Sequence, residues 1–276
     1  MTKARIEARF AQLKQQDRAA FVAYVMGGDP DAETALKILK GLPAAGADLI
    51  ELGFPFSDPM AEGPPIQRAA QRSLAKGMTL KAVLGQAQAF RESDRTTPII
   101  LMGYMNPLVT WGFDAFARAA AAAGVDGLIV VDCPPEEAEP LADALDAADV
   151  ALIRLATPTS DDARLATIVR RTAGFVYYVS VAGVTGVKEA DADAVAPAVA
   201  RVRAASGLPV AVGFGIKTPE RAAAIARVAD AAVVGSALVD EVAAALERNE
   251  DVTGRVLSKV EALAKAVRGA RLAQPA

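Results

Sequence analysis

The run Asp48-Leu49-Ile50-Glu51-Leu52-Gly53-Phe54 sets one carboxylate in the middle of an otherwise apolar segment. Read as a strand, its period-2 alternation puts Leu49, Glu51 and Gly53 on one face and Ile50, Leu52 and Phe54 on the other. If the larger apolar set packs against helices, Glu51 points into the interior near the C-terminal end of its strand. A carboxyl group there is partly desolvated, so its pKa rises and it can both take and give a proton near neutral pH. The competing reading is an inward Glu paired with Lys or Arg for structure, because unpaired burial is costly. The run Phe175 to Ser180 has the same logic: Phe175, Tyr177 and Val179 share a face, which turns Tyr177 inward. Packing with a satisfied hydroxyl is the ordinary role of such a tyrosine.

Three later segments carry closely spaced glycines: Gly183-Val184-Thr185-Gly186, Gly213-Phe214-Gly215-Ile216 and Gly235-Ser236. Glycine lets backbone N–H groups approach an anion, and three such segments at the ends of consecutive apolar runs point to a phosphorylated ligand. Any one of them is also what a tight turn needs. No Walker or dinucleotide fingerprint is present, so a nucleotide is not implied.

What the chain lacks narrows the chemistry further. With no histidine among 276 residues, it has no Ser-His-Asp or Cys-His nucleophile, no His-ligated zinc and no imidazole proton shuttle. Acid-base work falls to carboxylates, Tyr or Lys, and no metal site is expected. The single cysteine, Cys133, excludes an internal disulfide and a Cys-cluster metal site, fits a reducing cytoplasmic setting, and is expected as a small buried apolar residue. With 30 basic and 33 acidic side chains, a net charge of −3 and arginines scattered along the chain, neither nucleic acid nor an anionic membrane is an expected partner.

The elements that must position these residues repeat. Eight short apolar runs, Phe21 to Met26, Asp48 to Gly53, Pro98 to Gly103, Gly127 to Asp132, Ala151 to Ala156, Phe175 to Ser180, Pro209 to Phe214 and Ala231 to Gly235, recur on average about every 30 residues. Strands this uniformly apolar are buried on both faces. Helical patterns lie between and after them: Ala32 to Leu42, Phe113 to Ala123, Glu136 to Ala147, Asp161 to Arg171, Thr218 to Val228, Leu238 to Arg248 and Val252 to Val267. Asp31 with Thr34, and Thr218 followed by Pro219, are entry signals. Met1 to Gln16 reads as an extra amphipathic N-terminal helix, not a signal peptide, and nowhere does the chain reach the length of a membrane span. The expected architecture is α/β: a single (β/α)8 TIM barrel over residues 1–276, with a doubly wound open sheet as the competitor. Extended loops after strands 2 (Pro55 to Thr97) and 6 (Val181 to Leu208) would lie over the catalytic face.

The run ELGFPFSDPMAEGPPIQ (Glu51 to Gln67), with FVAYVMGGDP (Phe21 to Pro30), MGYMNP (Met102 to Pro107), VDCPPEE (Val131 to Glu137), SVAGVTG (Ser180 to Gly186) and VGFGI (Val212 to Ile216), resembles the alpha chain of tryptophan synthase, in family order over nearly the whole chain. The resemblance implies a barrel lyase that cleaves indole-3-glycerol phosphate to indole and glyceraldehyde 3-phosphate without cofactor or metal. Glu51 matches the family's catalytic glutamate and Tyr177 its active-site tyrosine. Gly186, Gly215, Gly235 and Ser236 fall on phosphate-binding positions, with Gly213 and Phe214 beside them. Tyr24, Ile66, Met102 and Tyr104 match residues around the indole ring, and Asp132 matches a residue that communicates with a partner subunit.

Two positions depart from the family pattern. Glu62 stands where a second catalytic aspartate is usual, supplying the same charge with an added methylene; Asp58 is the alternative carboxylate. Val181 stands where some relatives have Arg, while Thr185, which helps close the sixth loop, is retained. The resemblance also implies a pyridoxal-phosphate-containing beta chain as partner, in an αββα heterotetramer that receives the indole. Competing readings are another sugar-phosphate barrel enzyme such as indole-glycerol-phosphate synthase, disfavoured by the poverty of inward Lys and the lack of His, and a regulatory or scaffold barrel that binds a phosphate ester.

Overall fold

A computed structural model describes residues 2–179, 192–213 and 215–272 of the chain. Eight parallel strands, β1 Ala20–Met26, β2 Leu49–Gly53, β3 Ile99–Gly103, β4 Gly127–Val130, β5 Ala151–Ala156, β6 Val176–Val179, β7 Val210–Gly213 and β8 Ala231–Val234, close into a barrel in sequence order, β8 pairing with β1. The barrel, not the open sheet, is therefore the architecture, and all eight expected strands are found within two residues of their expected limits. Twelve helices flank the strands among the described residues: α1 Lys3–Gln15, α2 Ala32–Gly41, α3 Pro64–Ala75, α4 Leu80–Arg91, α5 Met105–Trp111, α6 Phe113–Ala122, α7 Glu139–Ala147, α8 Asp162–Val169, α9 Ala192–Ser206, α10 Pro219–Val228, α11 Ser236–Glu247 and α12 Val252–Gly269. No described helix is long and apolar enough to cross a membrane.

Strand parity separates two apolar layers. Phe21, Ala23, Ile50, Leu52, Ile99, Leu101, Val176 and Val210 face outward and pack under the helices, while Val22, Tyr24, Leu49, Ile100, Ile129, Ile153, Phe175, Tyr177 and Val233 fill the barrel. The interior needs a stopper at its N-terminal end, and α1 supplies one. Its three buried residues, Ile6, Phe10 and Leu13, recur at helical spacing, belong to the interior cluster, and place the Phe10 ring 5.7 Å from that of Phe175.

An aspartate directly before β2, β4 and β8 fastens the same end. The carboxylates of Asp48, Asp126 and Asp230 accept the backbone N–H of Phe21, Ile99 and Val210, at 2.9, 2.7 and 2.8 Å. Each is also paired with arginine: Asp48 with Arg18, Asp126 with Arg5 and Arg91, and Asp230 with Arg203. Burial pushes the Asp126 pKa up and its two arginines pull it back, so the ion pairs are what make a fully buried charge tolerable there.

The expected entry signals operate. Asp31 accepts the N–H of Thr34 at 2.9 Å to cap α2, and Thr218 accepts that of Arg221 at 3.3 Å with Pro219 in the first turn of α10. The second connection, expected to carry an extended loop, holds two helices, α3 and α4, and α5 and α9 were not expected at all.

Candidate active site

The C-terminal ends of the strands open into a narrow cleft, about 470 Å³ with its open mouth included, lined by Tyr24, Glu51, Glu62, Ile66, Met102, Tyr177, Gly215, Ile216, Val233, Gly235 and Ser236. Glu51 lies on β2 in register with Tyr24 of β1 and Ile100 of β3, so it projects into the barrel as parity requires. It is 1% exposed, and its Oε1 meets no hydrogen-bond partner among the described residues. The structural alternative of a Lys or Arg partner is thus not what the described residues provide.

Instead the nearest charge is another carboxyl group. Burial pushes Glu51 up to about 8, with the nearby Glu62 adding to the shift, and burial pushes Glu62 up to about 7. Two buried carboxyl groups with no cation between them favour holding a proton near neutral pH, the condition for a group that accepts one and returns it.

Glu62 arrives from the loop after β2, two residues before α3. Gly63 caps that helix and Pro64 and Pro65 fill its first turn, where no N–H is needed. The loop is fixed from both sides: the Gln67 side chain donates to the Glu62 carbonyl at 2.8 Å, and the Ala61 N–H donates to the Tyr104 hydroxyl at 3.1 Å. Tyr104 also stacks on Phe56 of the same loop at 5.2 Å. Tyr104 therefore stands behind Glu62 rather than on the cleft wall. Asp58, the alternative carboxylate, is exposed and bonded to Ser57, outside the cleft.

Gly213 likewise does not line the cleft; a Cβ there would overlap the Tyr177 hydroxyl, so its lack of a side chain is what lets Tyr177 lie across β7. Gly235 and Ser236 form the start of α11, a helix of 12 residues with no acidic residue in its first turn, and both line the cleft together with Gly215. Thr185, Gly186, Val181 and Phe214 lie outside the described residues. Ile216 and Val233 line the cleft and were not singled out in the sequence, being apolar residues like many others. Asp132 accepts the N–H of Met105 at 2.8 Å and so fixes the start of α5. Cys133, expected to be buried, is only half-buried, because it follows Asp132 out of the barrel onto a surface turn.

A profile of the family described as tryptophan synthase alpha chain matches residues 10–268. The chain belongs to that family. Among curated relatives, the tryptophan synthase alpha chains of Phenylobacterium zucineum and of Caulobacter sp. strain K31 are 80% and 72% identical, over 98% and 99% of both chains. The fold agrees: tryptophan synthase subunit alpha from Legionella pneumophila superposes with a TM-score of 0.90 at 39% identity, covering 95% of this chain and 98% of that one. A tryptophan synthase structure from Mycobacterium tuberculosis superposes at 0.85 and 35% identity, covering 96% and 98%. As a tryptophan synthase alpha chain, the molecule combines a desolvated carboxylate pair with a helix N-terminus across one cleft.

Proposed function

We propose that this chain performs the lyase reaction of its family, the retro-aldol cleavage of indole-3-glycerol phosphate to indole and glyceraldehyde 3-phosphate, with Glu51 as the proton relay. Breaking the bond between indole C3 and the glycerol carbon requires the ring to become an electron sink, which protonation at C3 provides. A base must remove the hydroxyl proton as the aldehyde forms. An unpaired inward carboxyl group with a raised pKa serves both ends, and this is the observation that carries the reading. Glu62 supplies negative charge for the indole N–H as positive charge develops on the protonated ring. Tyr177 borders the reacting carbons, and Tyr24, Ile66 and Met102 provide walls for the ring. The phosphate sits at the N-terminus of α11 with Gly215, Gly235 and Ser236, and the family resemblance adds Thr185, Gly186 and Phe214, which lie outside the described residues, as further residues for it.

The reaction needs no cofactor in this chain. Its partner is the beta chain of tryptophan synthase, carrying pyridoxal phosphate and receiving the indole in an αββα heterotetramer within the cytoplasm. The test is product identification: the purified chain, alone and with a beta chain, releases indole and glyceraldehyde 3-phosphate in equal amounts from indole-3-glycerol phosphate. Binding of the ester without either product, with the beta chain present, would mean a regulatory barrel instead.

A further inference from the structure

On the far side of the barrel wall from Glu51, a second cleft opens between the segment after β4 and α8, lined by Asp132, Cys133, Arg154, Thr157, Ser160 and Arg164 among others. Arg154 comes from β5, where parity turns Leu152, Arg154 and Ala156 outward while Ile153 faces the interior. It is 6% exposed, and its Nε is buried with no acceptor among the described residues. Three carboxylates close to this cleft are engaged elsewhere, Asp132 with the Met105 N–H, Glu136 with Arg164, and Glu139 with Arg171 at 2.6 Å, while Glu137 is exposed on the same turn. Taking a guanidinium out of water without pairing its donors is costly, a cost that a well-packed apolar residue would avoid.

That cost is offset when the anion comes from outside. The guanidinium offers a planar fork of donors that matches the two-oxygen face of a carboxylate or phosphate. The Thr157 and Ser160 hydroxyls stand on the same lining, and the cleft has a volume of about 360 Å³, at the lower end of the range of small-molecule sites. We propose that this outer cleft binds a small oxyanion-bearing molecule, with the buried Arg154 as its anchor. The site is separate from the lyase cleft, since the two lie on opposite faces of the strands, and it stands whether or not the proposed reaction does.

Cys133, the sole cysteine, is half-buried in this lining and reports on it directly. The experiment follows alkylation of Cys133 by uncharged iodoacetamide in inorganic phosphate, acetate or chloride at matched ionic strength. Phosphate or acetate slows the reaction saturably, by about fivefold or more relative to chloride; phosphate alone identifies a phosphate ester, acetate alone a carboxylate, and both a general oxyanion site. Arg154→Met abolishes the protection while raising the thermal midpoint in chloride, and Arg154→Lys, which keeps the charge without the fork, weakens it. Equal rates in all three salts with the wild-type chain would overturn the proposal. So would protection that survives in Arg154→Met, since the anion would then be acting from the lyase cleft. Should Arg154→Met not fold, undiminished protection in Arg154→Lys overturns it equally.

Discussion

The Tyr104 hydroxyl accepts the backbone N–H of Ala61 at 3.1 Å, one residue before Glu62. A residue at the end of β3 thereby sets the depth to which the loop after β2 carries its carboxylate into the barrel. The relationship explains how Glu in place of the usual Asp can be accommodated: the loop backbone is held back by Tyr104 while the longer side chain spans the remaining distance. Removing the hydroxyl in Tyr104→Phe leaves the stack on Phe56 but frees the loop. A neutral hydrogen bond is worth about 1 kcal/mol, so kcat should fall about fivefold with little change in KM. Steady-state kinetics check this, and an equal rise in KM would place Tyr104 in substrate binding instead.

The carboxyl pair makes stability depend on pH with a defined sign. Burial raises Glu62 from 4.5 to about 7 and Glu51 from 4.5 to about 8, so the folded chain holds protons that the unfolded chain releases. The stability this confers is complete below the unfolded carboxylate pKa of about 4.3 and is lost as pH rises through the folded values. Glu62→Gln cannot ionise and escapes the loss. Urea denaturation should show it close to wild type near pH 5 and more stable by about 2 kcal/mol near pH 8.5. A constant difference across that range would mean that Glu62 is not desolvated.

Gly213 is tested by adding one methyl group. In Gly213→Ala the new Cβ overlaps the Tyr177 hydroxyl, and the ring must swing toward the cleft. Overpacking of this kind costs about 1–3 kcal/mol, and kcat should fall at least about tenfold as the ring intrudes on the substrate. The new Cβ also meets the ring carbons Cζ and Cε1 at 2.5 and 2.8 Å, so Gly213→Ala should cost much less stability in a Tyr177→Leu background, which lacks the ring, than in the wild-type chain, measured by thermal unfolding.

The α1 stopper makes a prediction of the opposite kind. Phe10→Ala removes a ring packed on Phe175 at the sealed end of the barrel, remote from the cleft. Stability should drop by about 3 kcal/mol in denaturant titration, while KM at a temperature where the variant is folded stays within about twofold of wild type.

Most of the barrel was legible because its strands are short continuous apolar runs between Ala-rich segments, and because parity within a strand needs no knowledge of its neighbours. That is how Glu51 and Tyr177 could be turned inward from their own runs. The helices that escaped notice share a cause. Prolines at 64 and 65 open α3, Pro107 lies in the first turn of the short α5, and Pro197 lies inside α9. Proline reads as a breaker, yet the first turn accepts it. Glu62 was found only through the family resemblance, since its burial depends on a loop fastened by Tyr104, a long-range contact invisible in local spacing. The aspartates before β2, β4 and β8 form a recurring pattern that was open to reading, as was Arg154, a lone charge in the apolar run Ala151–Ala156.

The central claim is that Glu51 moves the proton. It is tested most directly by Glu51→Gln, which keeps the shape and removes the titrating group, assayed for indole release beside a measurement of affinity for an unreactive phosphate-ester analogue. Indole release should fall by at least about three orders of magnitude, the range lost with an essential acid-base group, while analogue affinity stays within about threefold of wild type. Turnover in Glu51→Gln within about tenfold of wild type would contradict the claim, and the relay would have to be assigned to another group in the cleft, with Glu62 the first to examine.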